Sequence, residues 1–500
     1  MISDGHEKRK PVGSRAILSI ACLSGLIGVT FVFLGILPVG ISGEWEWAQS
    51  PAHRWDEVAH AIVAFILLMA VVLVSLGRVS KSPVSHRAIL IAMLVAFSFA
   101  LQIGVAKISP AGLCEFPFAV SVPRANSYFH RASDISSLRD YLSSYVDEVR
   151  QEPFRVQLST HPAGPVVFFY GIQEVYSASS FLTNVTLRIS DVVLPSDPEI
   201  EAIFRSRLLP QVRELKAAAL ASAYLLILCA ALAVVPVYAA ASRLFSRDTG
   251  LLAAAFAALV PSMHLFSPSL DQLLVLLGAI VFWLVALTWR KRFAWLGCIT
   301  GVFAVVALQF SLSLGVVMAV AVLAMTLAEL QMDRGQRYWP VVPILCGLCG
   351  AAVMCVVAFV VFDYDVVGTW IACLQGNARF NQISTRSYGV WISVNPIEWA
   401  VFLGLPLTVL SIPWQKVGRS GTVAVSLCVI LLLLNISGAN RGEVARLWMP
   451  LMPIAAMSCA NVMSSMKNRR RWIASVLCFQ FMQVIALKVS LDVLSLYQGI

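Results

Sequence analysis

Long apolar runs separated by short polar loops are the feature that most constrains how this chain folds. A helix needs about 20 apolar residues to cross the hydrocarbon core of a bilayer, and run after run in this sequence reaches about that length. Hydrophobic residues make up 59% of the 500 residues, charged residues make up 13%, and the mean hydropathy is +0.80. A soluble domain is far less apolar. The sequence therefore predicts an all-α polytopic membrane protein.

The apolar runs predict about thirteen transmembrane helices. The first run follows a basic N-terminal segment, is too long for a signal-peptide core and lacks a small-residue cleavage site, so we expect it to remain uncleaved. The predicted spans cover residues 16–39, 58–76, 88–107, 216–241, 250–266, 269–289, 293–309, 311–330, 340–361, 399–413, 421–438, 446–465 and 472–495.

These spans divide the chain into three parts. Residues 1–107 hold the first three spans and an acidic outer loop at 41–57. Residues 108–215 are the longest polar region, which we predict to be a large outer region with amphipathic helices. Residues 216–500 form a bundle of about ten spans with an outer loop at 362–398.

The net charge of +10 comes from short basic clusters that lie between the apolar runs. Cytoplasmic loops of membrane proteins carry such clusters, so the pattern predicts a cytoplasmic N-terminus. It excludes a nucleic-acid partner, which would need the basic residues on one continuous face. The apolar piece 166–182 carries Gln173 and Glu174. If this piece crossed the membrane, every later basic loop would lie outside, so we interpret it as a re-entrant or interfacial helix.

Residues 161–165, His-Pro-Ala-Gly-Pro, predict a rigid corner in the outer region. Proline fixes its own backbone angle and disfavours helix at the residue before it, while Gly164 allows a sharp turn. Such a corner would hold His161 in a defined place; the alternative is a surface loop that leads into an apolar helix. Just before the corner, apolar residues recur at helical spacing from Leu138 to Val149, which predicts an amphipathic helix lying on the membrane.

Most of the eleven cysteines lie inside apolar runs, where they act as small hydrophobic side chains. Cys114 and Cys373 are instead predicted in outer loops, where disulfides form. The sequence leaves open whether these two residues pair, because it does not show how close they are.

Ionisable side chains collect near the outer ends of the predicted spans. Such groups are costly near a bilayer and persist where they have partners or a task. A carboxylate there can act as a general base, and arginines can hold a lipid phosphate. The candidates for catalysis or substrate binding are Glu44, Glu46, His161, Asp271, Arg379, Arg386, Arg441, Glu443 and Arg446.

Several candidates also have a purely structural interpretation. Glu44, beside Trp45, fits a solvated interfacial loop. Asp271 fits the cap of the helix that begins beside it. Arg441, Glu443 and Arg446 fit ion pairs within one helix. The sequence leaves both kinds of interpretation open.

The stretch ASRLFSRDTGLLAAAFAALVPSMHLFSPSLDQLLVLLGAIVFWLVAL joins a span, a short basic inner turn, a proline at the outer end and an aspartate that starts the next span. Together with the acidic residue after the first span and the long outer region, it resembles the GT-C superfamily of polytopic glycosyltransferases. The segments THPAGPV and RGEVARLWMPLMP are similar to those of uncharacterised bacterial members. As a pattern, the resemblance covers most of the chain.

This resemblance implies a reaction and its substrates. GT-C enzymes move a sugar from a polyprenyl-phosphate donor to a glycan, lipid or protein acceptor, usually with inversion, at the outer face of the bacterial cytoplasmic membrane. The resemblance implies Glu44 as the base, with Glu46 as its substitute. The departing phosphate would be held by His161 and by either Arg446 or Arg441. Where the family commonly has an Asp-Asp or Glu-x-Asp pair, this chain has Glu-Trp-Glu, so dependence on Mg²⁺ or Mn²⁺ stays open.

A transporter or flippase of lipid-linked sugars is the main alternative. It would need polar groups at the bilayer midplane and broken helices, whereas most of the predicted spans have apolar centres. A structural partner without activity is a third possibility, in which Glu44 and His161 would be inert.

Overall fold

The computed structural model of this chain is mostly helical. It describes residues 14–36, 40–49, 54–122, 126–151, 156–193, 212–291, 293–332, 340–413, 421–466 and 469–493. In its first part, helices α1 to α3 cover Ser14–Phe33, Val58–Ser75 and Val84–Ala106. Strands β1 and β2, at Gly40–Ile41 and Trp45–Glu46, form a short antiparallel hairpin. Strand β3 at Ala48–Gln49 pairs with β4 at Leu491–Asp492. The segment directly after the last helix is therefore paired with the loop that follows the first helix.

The described residues between 115 and 193 form a set of shorter helices. Helices α4 to α9 cover Glu115–Ser121, Ser127–Ser133, Leu138–Gln151, Val156–Thr160, Gly164–Ala178 and Ser180–Val193.

Helices α10 to α24 form the rest of the described chain. They cover Arg213–Leu232, Val234–Leu244, Arg247–Ala258, Pro261–Leu265, Leu270–Lys291, Ala294–Phe310, Leu314–Leu330, Val341–Phe362, Val366–Ile383, Tyr388–Leu403, Leu405–Ser411, Thr422–Ile436, Val444–Leu447, Met452–Ser464 and Arg469–Ser490.

Seven helical segments of the described residues are long and apolar enough to cross a membrane, and one bent pair raises the number to eight. This confirms a multi-pass, all-α membrane protein. The predicted count of about thirteen spans is not confirmed, because several predicted spans are helices well short of the roughly 20 residues that cross a bilayer. Four such apolar helices have 10–17 residues: Ala294–Phe310, Leu314–Leu330, Thr422–Ile436 and Met449–Ser464.

The predicted span 399–413 is wrong as a straight helix, because the chain turns by 110° between α19 and α20. Gly404 sits at the bend with φ +99°, and a Cβ there would collide with the side chain of Gln480. Side-chain amides from α24 form hydrogen bonds with the backbone groups that lose their helical partners at the bend. Gln480 Nε2 donates to Leu403 O at 2.6 Å, and Gln483 Oε1 accepts from Leu405 N at 3.0 Å.

The predicted span 250–266 is likewise two helices, α12 and α13, and the break lies just before Pro261. Proline lacks the N–H that would continue the helical ladder, so the apolar run does not form one helix. His264 lies buried in the second piece, where its Nε2 is 2.9 Å from Ala258 O.

Helix α6 forms as predicted, but its apolar face does not lie on a membrane. Tyr141, Leu142, Tyr145 and Val149 are buried, and the helix packs against α18. The spacing of apolar residues shows that one face is covered, yet it does not show whether lipid or protein covers it. Here the cover is protein.

The basic loops that follow α2 and precede α12 and α24 meet at one end of the bundle. Asp248 accepts from Gly77 N at 3.1 Å and forms an ion pair of 2.7 Å with Arg469. Arg247 donates to Ser80 O at 2.8 Å. Helix α12 begins at this end of the bundle.

Cys114 and Cys373 do not form a disulfide; both are free thiols. Cys373 is fully buried on α18, whereas Cys114 precedes α4, which packs on α10.

Candidate active site

Glu44 lies in the turn of the β1–β2 hairpin and is held by three donors from the start of α19. Its carboxylate accepts from Ser387 N at 2.9 Å, from Ser387 Oγ at 2.7 Å and from Trp391 Nε1 at 2.8 Å. The hydrogen bonds from Ser387 hold the pKa of Glu44 below its usual value. A carboxylate held in this way is a weak base and a good anchor. Glu46, two residues further along the hairpin, is exposed.

Next to this anchor, four charged side chains of alternating sign form a row. Arg386 Nη2 lies 2.6 Å from Glu443 Oε1, and Arg446 Nη2 lies 3.4 Å from Glu443 Oε2. At the end of the row, Arg446 Nε lies 3.6 Å from Asp271 Oδ2. The exposed side-chain fractions are 11%, 16%, 33% and 18% for Arg386, Glu443, Arg446 and Asp271, so Arg446 is the most accessible member.

The two arginines of this row differ in how they are bonded. Arg386 donates to Glu443 Oε1 and, at 2.8 Å, to Arg441 O, and its guanidinium lies 4.6 Å from the centre of the Trp45 ring. Arg446 Nε is buried and has no hydrogen-bond partner among the residues that the structure describes. Arg386 is thus committed to the fold, whereas Arg446 makes only loose ion pairs and is 33% exposed, so donors of its guanidinium remain accessible to a ligand.

The backbone of the segment that carries these charges explains why they do not share a helix. Gly442 has φ +81° and Glu443 has φ +56°, so both are left-handed and α22 begins only at Val444. A non-glycine residue in this region costs on the order of 1 kcal/mol and persists where its surroundings hold it. A Cβ at Gly442 would lie 3.0 Å from the ring of Trp391, so the segment lies directly on this buried side chain.

His161 lies at the predicted corner between α7 and α8. Its Nδ1 is 3.2 Å from Gln157 O, and its ring packs edge-on against Tyr128. Burial, followed by the positive charge of Arg446, lowers the pKa of His161 to about 4. The imidazole is therefore neutral at pH 7. With the proton on Nδ1, donated to Gln157 O, Nε2 is free to accept a hydrogen bond from a hydroxyl.

This lowered pKa predicts that acid destabilises the fold through His161. An unfolded histidine has a pKa of about 6.5, so the unfolded state binds the proton first and stability falls as the pH drops from 6.5 towards 4. The loss between pH 7 and pH 4.5 is about 2 kcal/mol. Thermal unfolding of wild type and His161→Asn in nanodiscs at both pH values measures it. Equal losses for the two proteins would contradict the prediction, since His264 is common to both.

The remaining predicted residues divide into two groups. Arg441 belongs to the cluster, because its Nη1 donates to Arg386 O at 3.1 Å and its guanidinium lies over Tyr388. Arg379 stands apart on α18, where its Nε donates to Gln375 O at 3.4 Å within the same helix. The structure thus brings together Glu44, His161, Asp271, Arg441, Glu443 and Arg446, and it leaves Glu46 and Arg379 outside.

Two residues of the site carry no charge and gave no signal in the sequence. Ser387 and Trp391 hold Glu44 across a separation of more than 340 residues along the chain. Arg386 was one of the candidates, but its role as the partner of Glu443 depends on the fold. Neutral donors of this kind are recognised only once the acceptor that they hold is in place.

The donor set does not fit a divalent cation such as Mg²⁺ or Mn²⁺. No group of three or more His, Cys, Asp or Glu side chains within the described ranges is arranged to hold a metal. Glu44 faces three N–H or O–H donors, and Glu443 and Asp271 face arginines. A magnesium site instead needs carboxylate oxygens directed at the ion.

Comparison with protein-family models gives no matching family, and comparison with curated proteins gives no match. The function proposed below therefore rests on the chemistry of these residues and on the resemblance seen in the sequence.

Proposed function

We propose that this protein is a GT-C-like glycosyltransferase of the bacterial cytoplasmic membrane, with its N-terminus in the cytoplasm. It moves a sugar from a polyprenyl-phosphate donor to a glycan, lipid or protein acceptor at the outer face. The observation that carries the proposal is Arg446, an arginine that is 33% exposed and stands in loose ion pairs of 3.4 and 3.6 Å between Glu443 and Asp271. A cation with free donors beside a carboxylate provides both a phosphate site and a base.

In this mechanism Arg446 binds the phosphate of the donor, and Arg441 adds positive charge nearby. The acceptor hydroxyl attacks C1 of the sugar from the face opposite the phosphate, which inverts the configuration. The bond between C1 and the phosphate oxygen breaks, and its electron pair stays on the phosphate. Arg446 stabilises the negative charge that builds up there.

The hydroxyl proton passes to a carboxylate, and the geometry favours Asp271 over Glu44 for this role. Asp271 accepts one hydrogen bond from another side chain, from Ser269 Oγ at 3.1 Å, and lies directly beside Arg446. Glu44 accepts three hydrogen bonds from Ser387 and Trp391, which weaken it as a base. In this mechanism His161 Nε2 accepts a hydrogen bond from the acceptor and so orients it, because Nδ1 is bonded to Gln157 O.

Paired substitutions test this assignment. Asp271→Asn keeps the shape of the side chain but removes the base, so we expect turnover to fall about 100-fold. Glu44→Gln weakens the hydrogen bonds that join the β1–β2 hairpin to the start of α19, so we expect turnover to fall about tenfold or less. The measurement is the release of polyprenyl phosphate from a labelled donor in nanodiscs. The opposite order of effects would return the role of base to Glu44.

One observation favours the flippase alternative. The helix pair α19 and α20 is broken by 110°, and buried glutamines lie within the spans, among them Gln102, Gln272 and Gln480. Transporters use such breaks to bind substrate. In this protein, however, Gln480 donates to Leu403 O at the break, and Gln272 donates to Gln102 Oε1. A flippase would move the lipid-linked sugar across the bilayer with its sugar–phosphate bond intact, so it would release no polyprenyl phosphate in this assay.

A further inference from the structure

A proline within α19 starts a chain of hydrogen bonds that leads to the candidate active site. Pro396 has no N–H, so the carbonyl of Ile392 loses its partner in the helix. Asn435 of α21 takes that place, and its Nδ2 donates to Ile392 O at 2.7 Å. The proline thereby fixes a buried asparagine beside the helix.

Asn435 in turn orients Asn395. The Oδ1 atom of Asn435 accepts from Asn395 Nδ2 at 3.1 Å. The same Nδ2 donates to Asn440 O at 3.0 Å, and Asn395 Oδ1 accepts from Gly442 N at 3.0 Å. Asn395 is 1% exposed, so an unmade bond here would be costly.

One helical turn further along, Glu398 holds the same segment. Its Oε1 accepts from Ala445 N at 3.1 Å, and the carbonyl of Ala445 accepts from Ser262 Oγ at 2.9 Å. The backbone on both sides of the left-handed Glu443 is thus bonded to side chains rather than to regular structure. Arg446 follows directly after this bonded stretch.

From these contacts we infer that Asn395, Glu398 and Asn435 are positioning residues, which fix residues 440–446 so that Arg446 meets the phosphate of the donor. The inference rests on the proposed function, since it assigns these residues a task in that reaction. Residues 440–446 carry two consecutive left-handed positions and lie mostly outside regular structure. Their conformation therefore depends on the side chains that bind their amides and carbonyls.

Hydrogen exchange of single amides tests the contacts without any substrate. We expect Asn395→Ala to raise exchange at Gly442, and Glu398→Leu to raise exchange at Ala445, by about tenfold each. Glu398→Gln keeps the accepting oxygen and should leave Ala445 protected. Ser458→Ala is the matched control, because it removes a buried hydrogen bond to Ile454 O in α23, away from this segment.

Turnover with a polyprenyl-phosphate sugar tests the positioning role. Asn395→Ala and Glu398→Leu should lower kcat about tenfold with little change in KM, since the misplaced charge matters most as the bond breaks. Glu398→Gln and Ser458→Ala should behave as wild type. Unchanged exchange at Gly442 and Ala445, or unchanged kcat despite faster exchange, would overturn the inference. If wild type releases no polyprenyl phosphate, the proposed function fails, and the exchange data alone decide whether these contacts hold the segment.

Discussion

Replacing Arg446 by alanine is expected to lower turnover about 1,000-fold while the protein stays folded. Arg446 supplies guanidinium donors that would meet the charge developing on the phosphate, and removal of such a group costs up to about 4 kcal/mol in the transition state. Its ion contacts of 3.4 and 3.6 Å are loose, so the fold depends on them little. The measurement is release of polyprenyl phosphate in nanodiscs, with thermal unfolding as the check on folding.

Two further variants make this prediction specific. Arg446→Lys keeps a charge but loses the planar fork of donors, so it should recover only part of the activity. Arg379→Ala removes an arginine of α18 that lies outside the cluster, and it should retain near wild-type turnover. Equal losses in Arg446→Ala and Arg379→Ala would show that general positive charge is what matters.

Replacing Arg386 by methionine is expected to destabilise the protein by about 3 kcal/mol, because Glu443 then loses the closer of its two cations and keeps only Arg446, at 3.4 Å. Arg386 is 11% exposed and bonds to Glu443 at 2.6 Å and to the carbonyl of Arg441 at 2.8 Å. It also covers the ring of Trp45. The free energy of unfolding in detergent, measured against denaturant for wild type and variant, gives the value.

A double variant separates the ion pair from packing. Arg386→Met with Glu443→Leu removes both charges, so it should be more stable than Arg386→Met alone. If Glu443→Leu lowers the free energy of unfolding as much in the Arg386→Met background as it does in wild type, then the two residues act independently. That result would contradict the role given to Arg386.

Much of the secondary structure follows from the sequence, because apolar length and helical periodicity are local properties. Helices α2, α3 and α6 begin and end within a few residues of their predicted bounds. Hydropathy does not reveal where a helix breaks. The bend at Gly404 depends on Gln480 and Gln483, which lie more than 70 residues away along the chain.

The sequence allowed us to predict which residues belong to the site but not what each of them does. The cost of ionisable groups near a bilayer singled out Glu44, His161, Asp271 and Arg446, and the structure brings them into one cluster. What each group does depends on its neighbours. Glu44 is an anchor because Ser387 and Trp391, at the start of α19, donate hydrogen bonds to it. Burial makes His161 neutral.

The most direct test of the proposed function follows both halves of the donor. Purified wild type and Arg446→Ala in lipid nanodiscs receive a panel of polyprenyl-phosphate sugars labelled in the lipid and in the sugar, together with candidate acceptors. We expect wild type to release polyprenyl phosphate and to transfer the sugar. We expect Arg446→Ala to bind the donor weakly and to release almost no polyprenyl phosphate. The contradicting result is that wild type binds the donor but leaves it uncleaved with every acceptor, and that the donor crosses the bilayer of liposomes intact. That result would show that the protein is a flippase and not a glycosyltransferase.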